Sequence, residues 1–188
     1  MKKKLLLFPL LFLFLIFSGC SDEQTTVSIV RTPSLTFNLN GGSLWKADNY
    51  SFSPISKVVV YPQDTTLPGQ LYNRFSFQAT GNDSAGNTYQ LFITFDAVDV
   101  NQLSGIYSPL YTSQKGLSQV QLYNLTNSNN LSAYTLYSGD LANAVFQIQK
   151  QDIDQTLITG VFKMTLSNSR DTTEKVYITN GIMKDITY

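Results

Sequence analysis

The chain of 188 residues has no histidine, one cysteine and one tryptophan, and these scarcities remove most catalytic designs before any motif is read. Without histidine there is no Ser-His-Asp or Cys-His nucleophilic site, and zinc centres built on His or Cys are excluded along with thiol redox work. A lone cysteine leaves no intrachain disulfide. Charge is sparse as well, at 14% of residues, and basic residues such as Arg74, Lys115 and Lys163 stand singly. A binder of phosphate backbones needs a basic patch or stripe, so nucleic acid is not an expected partner.

What is present begins at the N-terminus. Lys2, Lys3 and Lys4 form a positive segment, Leu5 to Phe17 an apolar one, and Ser18-Gly19 place small residues just before Cys20. This order is that of a bacterial lipoprotein signal, with cleavage before Cys20 and acylation of its sulfur and new amino group. The apolar run is shorter than the roughly 20 residues a spanning helix needs. Two or three acyl chains, at about 0.8 kcal/mol per buried methylene, give a lasting membrane attachment where one chain would not. The expected organisation is a signal peptide at 1–19, a lipidated Cys20 with a polar tether to 32, and one domain over 33–188. Beyond the covalent lipid no cofactor is expected. Removing the three N-terminal lysines leaves ten basic against thirteen acidic groups, a formal charge near −3.

Ser21 follows Cys20 where an inner-membrane retention signal would carry aspartate, so the outer membrane is favoured. Ser21 with Asp22 and Glu23 resembles the export signal that sends Bacteroidetes lipoproteins to the cell surface. The alternative is a plain tether on a periplasm-facing lipoprotein.

The rest of the chain reads as one short strand after another. Leu35–Leu39, Arg74–Ala79 and Tyr89–Phe95 alternate apolar and polar residues, the period of half-buried strands. Gln119–Leu125, Ala133–Tyr137, Val145–Gln149, Ile158–Leu166, Lys175–Thr179 and Ile182–Tyr188 continue the pattern between turn-rich stretches such as Asn127–Asn130 and Asn180-Gly181. Val98–Gly116 is expected to hold loops and a short helix near Asn101-Gln102-Leu103. The fold class is therefore all-β: an antiparallel β-sandwich or barrel-like domain of about nine to eleven short strands.

Phe37-Asn38-Leu39-Asn40-Gly41-Gly42-Ser43-Leu44-Trp45-Lys46-Ala47 resembles the opening hairpin of small Bacteroidetes lipoproteins that carry an uncharacterised all-β domain, with an aromatic strand, Asn/Asp-Gly and then Trp-x-Ala. Ile158–Phe162 and Val176–Met183 are similar to that family's closing strands, although Met183 stands where an aromatic is more usual. The resemblance spans about Leu35–Tyr188 and implies no known activity, so it carries over no catalytic residue.

Carboxylate chemistry is the enzymatic route left open, since a glycosidase needs two acids roughly 5 to 10 Å apart across a cleft. The nearest to pairs are Asp96 with Asp99 and Asp152 with Asp154, each at a strand end where Asp also serves turns. Gly81–Asn87 offers oxygens at turn spacing to calcium, but only one acid, Asp83. Among aromatics, Phe75, Phe77, Phe95, Phe146 and Phe162 fall on apolar faces, whereas the exposure of Tyr107, Tyr111, Tyr123, Tyr134 and Tyr137 is open.

Trp45 turns on hairpin register. A two-residue Asn40-Gly41 turn would send it outward; a three-residue Asn40-Gly41-Gly42 loop pairs it with Phe37 and buries it while Lys46 meets water. Burial of a large aromatic, worth about 2 to 3 kcal/mol, favours the longer loop. The leading functional expectation is a non-enzymatic envelope lipoprotein that binds a glycan, peptide or protein. An accessory subunit of an envelope complex and a carboxylate glycosidase are the alternatives.

Overall fold

The computed structural model describes residues 31–61, 69–126 and 131–188. Cys20, Ser21, Asp22 and Glu23, and the Asn127–Asn130 turn, lie outside the described residues. Among the described residues eleven strands follow in order: β1 (Ser34–Leu39), β2 (Ser43–Phe52), β3 (Ser56–Val60), β4 (Gln70–Asp83), β5 (Thr88–Ala97), β6 (Gly105–Tyr107), β7 (Lys115–Asn124), β8 (Ser132–Thr135), β9 (Val145–Asp152), β10 (Leu157–Asn168) and β11 (Lys175–Thr187). One 3-10 helix, Ser138–Asn143, sits between β8 and β9.

Neighbour pairing runs β11-β1-β2-β4-β5-β7-β8-β10, and β10 pairs back onto β11. The result is an antiparallel barrel of eight strands, the barrel form of the expected fold. Two long strands make the closure possible. β4 holds β2 along Phe77–Asp83 and β3 along Gln70–Arg74 on the same edge. β10 likewise holds β9 along Leu157–Lys163 and β8 at Ser167 and Asn168, and β6 extends the sheet from β9.

Alternation decides what fills the barrel. Inward positions of β4 and β5 carry Phe75, Phe77 and Ala79, then Leu91, Ile93 and Phe95, all buried. Phe75 stacks on Phe95 at 5.0 Å and 4°, and Phe95 meets Phe146 at 5.2 Å. Eight strands enclose a space just wide enough for side chains, so these rings form a packed core. One end is sealed by Gln151. Its Nε2 donates to the Val100 carbonyl at 2.7 Å and to the Tyr188 hydroxyl at 2.6 Å, while its Oε1 accepts the Leu103 N–H at 2.7 Å.

The β1–β2 hairpin takes the longer loop: Leu39 faces Ser43, Phe37 faces Trp45 and Thr36 faces Lys46. Asn40 and Gly41 both adopt positive φ, and Trp45 is 0% exposed. Three other expectations are corrected. Asn180-Gly181 does not end a strand; it bulges within the continuous β11, where Asn180 has φ 51° and the pairing with both β1 and β10 shifts register. Gly181 is required there because a Cβ would lie 2.6 Å from the Phe162 ring. The segment 98–116 holds no helix. Asp99 accepts the Asn101 N–H at 2.8 Å to form a turn, and β6 follows. Finally, Ala133–Tyr137 stops at Thr135, and the chain passes into the 3-10 helix.

Candidate functional site

Outward positions on β4, β5, β7 and β8 differ sharply from the inward ones. Register lines them up in rows: Ser76 faces Thr94, which faces Gln119; Gln78 faces Phe92, then Gln121, then Thr135; Thr80 faces Gln90, then Tyr123. Polar outside and apolar inside is the reverse of a transmembrane barrel, whose lipid-facing residues are apolar. Between the ion pair at Arg74 and the Asn82–Asp48 contact this face carries hydroxyls, amides and two aromatic rings, and no charge.

At one end the face is bounded by an ionic network whose carboxylate is buried and whose guanidinium is partly exposed. Arg74 grips Asp96 with two parallel bonds, Nε to Oδ1 at 2.9 Å and Nη2 to Oδ2 at 2.8 Å, and also donates to Ser118 Oγ at 2.9 Å. The Tyr111 hydroxyl donates to the same Asp96 Oδ2. Gly116, opposite Asp96, is what admits the Tyr111 ring: a Cβ there would stand 2.3 Å from it. Tyr72 crosses Tyr111 edge to face at 5.6 Å and donates to the Thr112 carbonyl at 2.8 Å, pinning the loop over the barrel wall. Burial, reinforced by the bond to Asp96, pushes the Tyr111 phenol up to about 12. The hydrogen bond to Asp96 raises Arg74 above its ordinary value, so the guanidinium keeps its charge.

Beside that loop lies a recess of ≈ 410 Å³ lined by Pro109, Tyr111, Ser118, Gln119, Thr135 and Leu141. Its far wall, the 3-10 helix, is tied down through Asp140, which accepts Lys175 Nζ at 2.6 Å and Ser167 Oγ at 2.8 Å. Two further depressions exist. One of ≈ 400 Å³ at a barrel end is lined by Gln70, Asp99, Gln102, Gln114 and Lys115. The other, of ≈ 500 Å³, lies over the β11 bulge against Val145, Val161, Phe162 and Ile182.

The acids singled out in the sequence serve local structure. Asp96 is 0% exposed with both oxygens engaged, while Asp99 holds a turn, so the two do not face one another as free carboxylates. Asp152 accepts the Gln155 N–H at 3.2 Å and pairs with Arg31 at 3.2 Å, and Asp154 is exposed in the intervening turn. In the Gly81–Asn87 loop, Asp83 Oδ1 accepts the N–H groups of Ala85 and Asn87 at 2.9 and 2.8 Å, and Oδ2 accepts Asn87 Nδ2 at 3.0 Å. The loop closes on its own carboxylate. No group of three or more metal-ligating acids, His or Cys occurs among the described residues. A chelator should therefore move the thermal midpoint by no more than about one or two degrees, read by differential scanning calorimetry with and without added calcium.

Burial pushes the Asp83 carboxyl up, but the Asn87 side chain and the Asn87 and Ala85 N–H groups outweigh it and hold the carboxyl below its usual range. The Lys175 ammonium, with Ser167, does the same for Asp140. A carboxyl depressed in the folded state stabilises the fold fully above its unfolded value near pH 4. That contribution disappears as pH falls through the lower folded values. Urea midpoints should thus be flat from neutral pH to about pH 5 and drop below about pH 4, and Asp140→Asn should flatten the drop.

The tyrosines divide. Tyr107 is core, its hydroxyl donating to the Leu103 carbonyl at 2.7 Å and burial raising its phenol; Tyr134 is buried; Tyr111 and Tyr123 are half-buried at the outer face; Tyr137 is exposed. Fold and site define an antiparallel barrel with a filled apolar interior and an uncharged polar outer face running into a recess. No protein-family model, curated protein or solved structure matches the chain.

Proposed function

We propose that the chain is a lipid-anchored lipoprotein of the outer membrane or cell surface whose barrel is a non-enzymatic binding module. The address is supported by the lysines, apolar run and Ser18-Gly19-Cys20 of the N-terminus, and by Ser21, Asp22 and Glu23 after it. The resemblance to small Bacteroidetes lipoproteins agrees with it. The observation that carries the binding reading is the outer recess: it lies within the usual size range of small-ligand sites, and Ser118, Gln119 and Thr135 are at its wall. The interior, packed with aromatic rings, supports an outer site over an inner one.

The test is metabolic labelling with an alkynyl fatty acid. Wild type should incorporate it, and Cys20→Ala should stay unprocessed and unlabelled; label on that variant would end the lipoprotein reading. Replacing Asp22 and Glu23 by Ala should keep the label but reduce cleavage by protease added to intact cells. Unchanged cleavage would make the acidic pair a tether only.

A second reading, an accessory subunit joined by strand addition, is favoured by β3. Among the described residues it pairs only with β4, and Val59 beside Leu71 is 55% exposed. An open apolar edge of this kind templates a partner strand. It predicts co-purification with a large complex that Val59→Lys abolishes.

A further inference from the structure

We infer that the outer face of β4, β5, β7 and β8 is a binding site for a neutral glycan, which lies across Phe92 and Tyr123 and reaches the recess at Gln119. The inference rests on the binding-module reading and names the ligand class of that site.

Pairing geometry first restricts how anything can bind there. β4, β5 and β7 are hydrogen-bonded on both edges along this stretch, so no peptide can join by adding a strand, and a ligand meets side chains alone. The chemistry of those side chains restricts it further. The amides of Gln78 and Gln119 make no hydrogen bond to any described residue, and Gln90 offers only a long 3.3 Å bond to Thr80. Each primary amide presents a donor and an acceptor side by side, which matches the adjacent hydroxyls of a sugar ring. Phe92 and Tyr123 meet edge to face at 5.7 Å and are partly buried among them, so what they offer the apolar C–H face of a sugar is the outward part of the pair, not two open ring faces.

Absence of charge selects within that class. An anionic polysaccharide would need cations, and the nearest guanidinium, Arg74, is already held by Asp96 with two bonds. A protein partner would favour a patch dominated by large aromatic and Arg anchors, whereas Ser and Thr are under-represented among such anchors. The row Ser76, Thr94, Gln119 runs directly into the recess, because Gln119 belongs to both. A chain crossing the face can therefore seat a terminal or branching residue in the ≈ 410 Å³ space beside Tyr111.

Full-length lipidated protein in detergent should be run in native gels containing glycogen, laminarin, mannan or xylan, with polygalacturonate and heparin as anionic probes, followed by calorimetric titration. We expect retardation by at least one neutral glycan that persists in high salt, since no ion pair contributes. Phe92→Ala, Tyr123→Ala and Gln119→Ala should each weaken binding by about tenfold or more with the thermal midpoint little changed, because all three side chains face outward. Ile182→Ala, on another part of the barrel wall, should leave it unaltered. No retardation by any of the neutral glycans, binding confined to the anionic probes, or affinity indifferent to Phe92→Ala would overturn the inference. A Gln119 photocrosslinker that captures an envelope protein instead of glycan would also overturn it while leaving a binding module in place. Fatty-acid labelling of the same preparations keeps the two readings apart, since a labelled protein that binds no neutral glycan fails here alone.

Discussion

Trp45→Ala should destabilise the folded protein by about 3 kcal/mol or more, as large-to-small changes in a close-packed interior do. The indole is fully buried, stacks on Phe37 at 4.4 Å and 20°, and Phe37 in turn meets Phe162 at 5.9 Å. The vacated space would thus border β1, β2 and β10 at once, three walls of a closed barrel that cannot collapse independently. Trp45 Nε1 has no hydrogen-bond partner among the described residues, and a buried donor left so costs about 1 to 3 kcal/mol. Trp45→Phe keeps a ring on Phe37 and removes that orphan donor, so its loss should be well under half that of the alanine variant. Urea unfolding measures both. As the chain's only indole, Trp45 should also emit at short wavelength and resist iodide quenching; a red, easily quenched emission would put it on the surface.

Trp45 also marks how far the fold could be read from residues alone. Turn chemistry favoured a two-residue Asn40-Gly41 loop, but only the three-residue loop puts Phe37 and Trp45 on one face, and burial outweighed the turn preference. The same dipeptide at Asn180-Gly181 misled, because positive φ serves a bulge as well as a turn. Which one forms depends on Phe162 in the neighbouring strand packing onto Gly181. Closure was illegible for a related reason: β10 meets β8 through only Ser167 and Asn168, a pairing that no local period announces. At the site, alternation in Arg74-Phe75-Ser76-Phe77-Gln78-Ala79 already showed which side chains point out. It could not show that Gln78 would stand beside Phe92 and Gln121, because those rows are set by the pairing of distant strands. Asp96 was visible as an acid at a strand end. Its partners, Arg74 on the adjacent strand and Tyr111 on a later loop, exist only once register is fixed.

Breaking that network from the cation side should have the second large effect. Arg74→Ala leaves the Asp96 carboxylate, 0% exposed, with Tyr111 as its remaining side-chain partner and no countercharge among the described residues, and losing one member of a buried pair typically costs about 3 to 5 kcal/mol. The reverse change is milder. Asp96→Ala frees an Arg74 side chain that is 31% exposed, so water solvates the guanidinium and about 1 kcal/mol is the expected loss from the pair itself. The double variant Arg74→Ala/Asp96→Ala should then be more stable than Arg74→Ala alone, because it removes the buried charge that made the single variant costly. Urea midpoints of the three variants decide this, and a double variant weaker than Arg74→Ala would mean the pair contributes mainly through packing. The consequence reaches the recess. Asp96 anchors the Tyr111 hydroxyl and Arg74 holds Ser118, so either single change frees a wall of the ≈ 410 Å³ space even where the barrel stays folded. Ligand affinity at the outer face should therefore fall in Asp96→Ala although Phe92, Tyr123 and Gln119 are untouched, and an affinity equal to wild type would show that the ligand stops short of Tyr111.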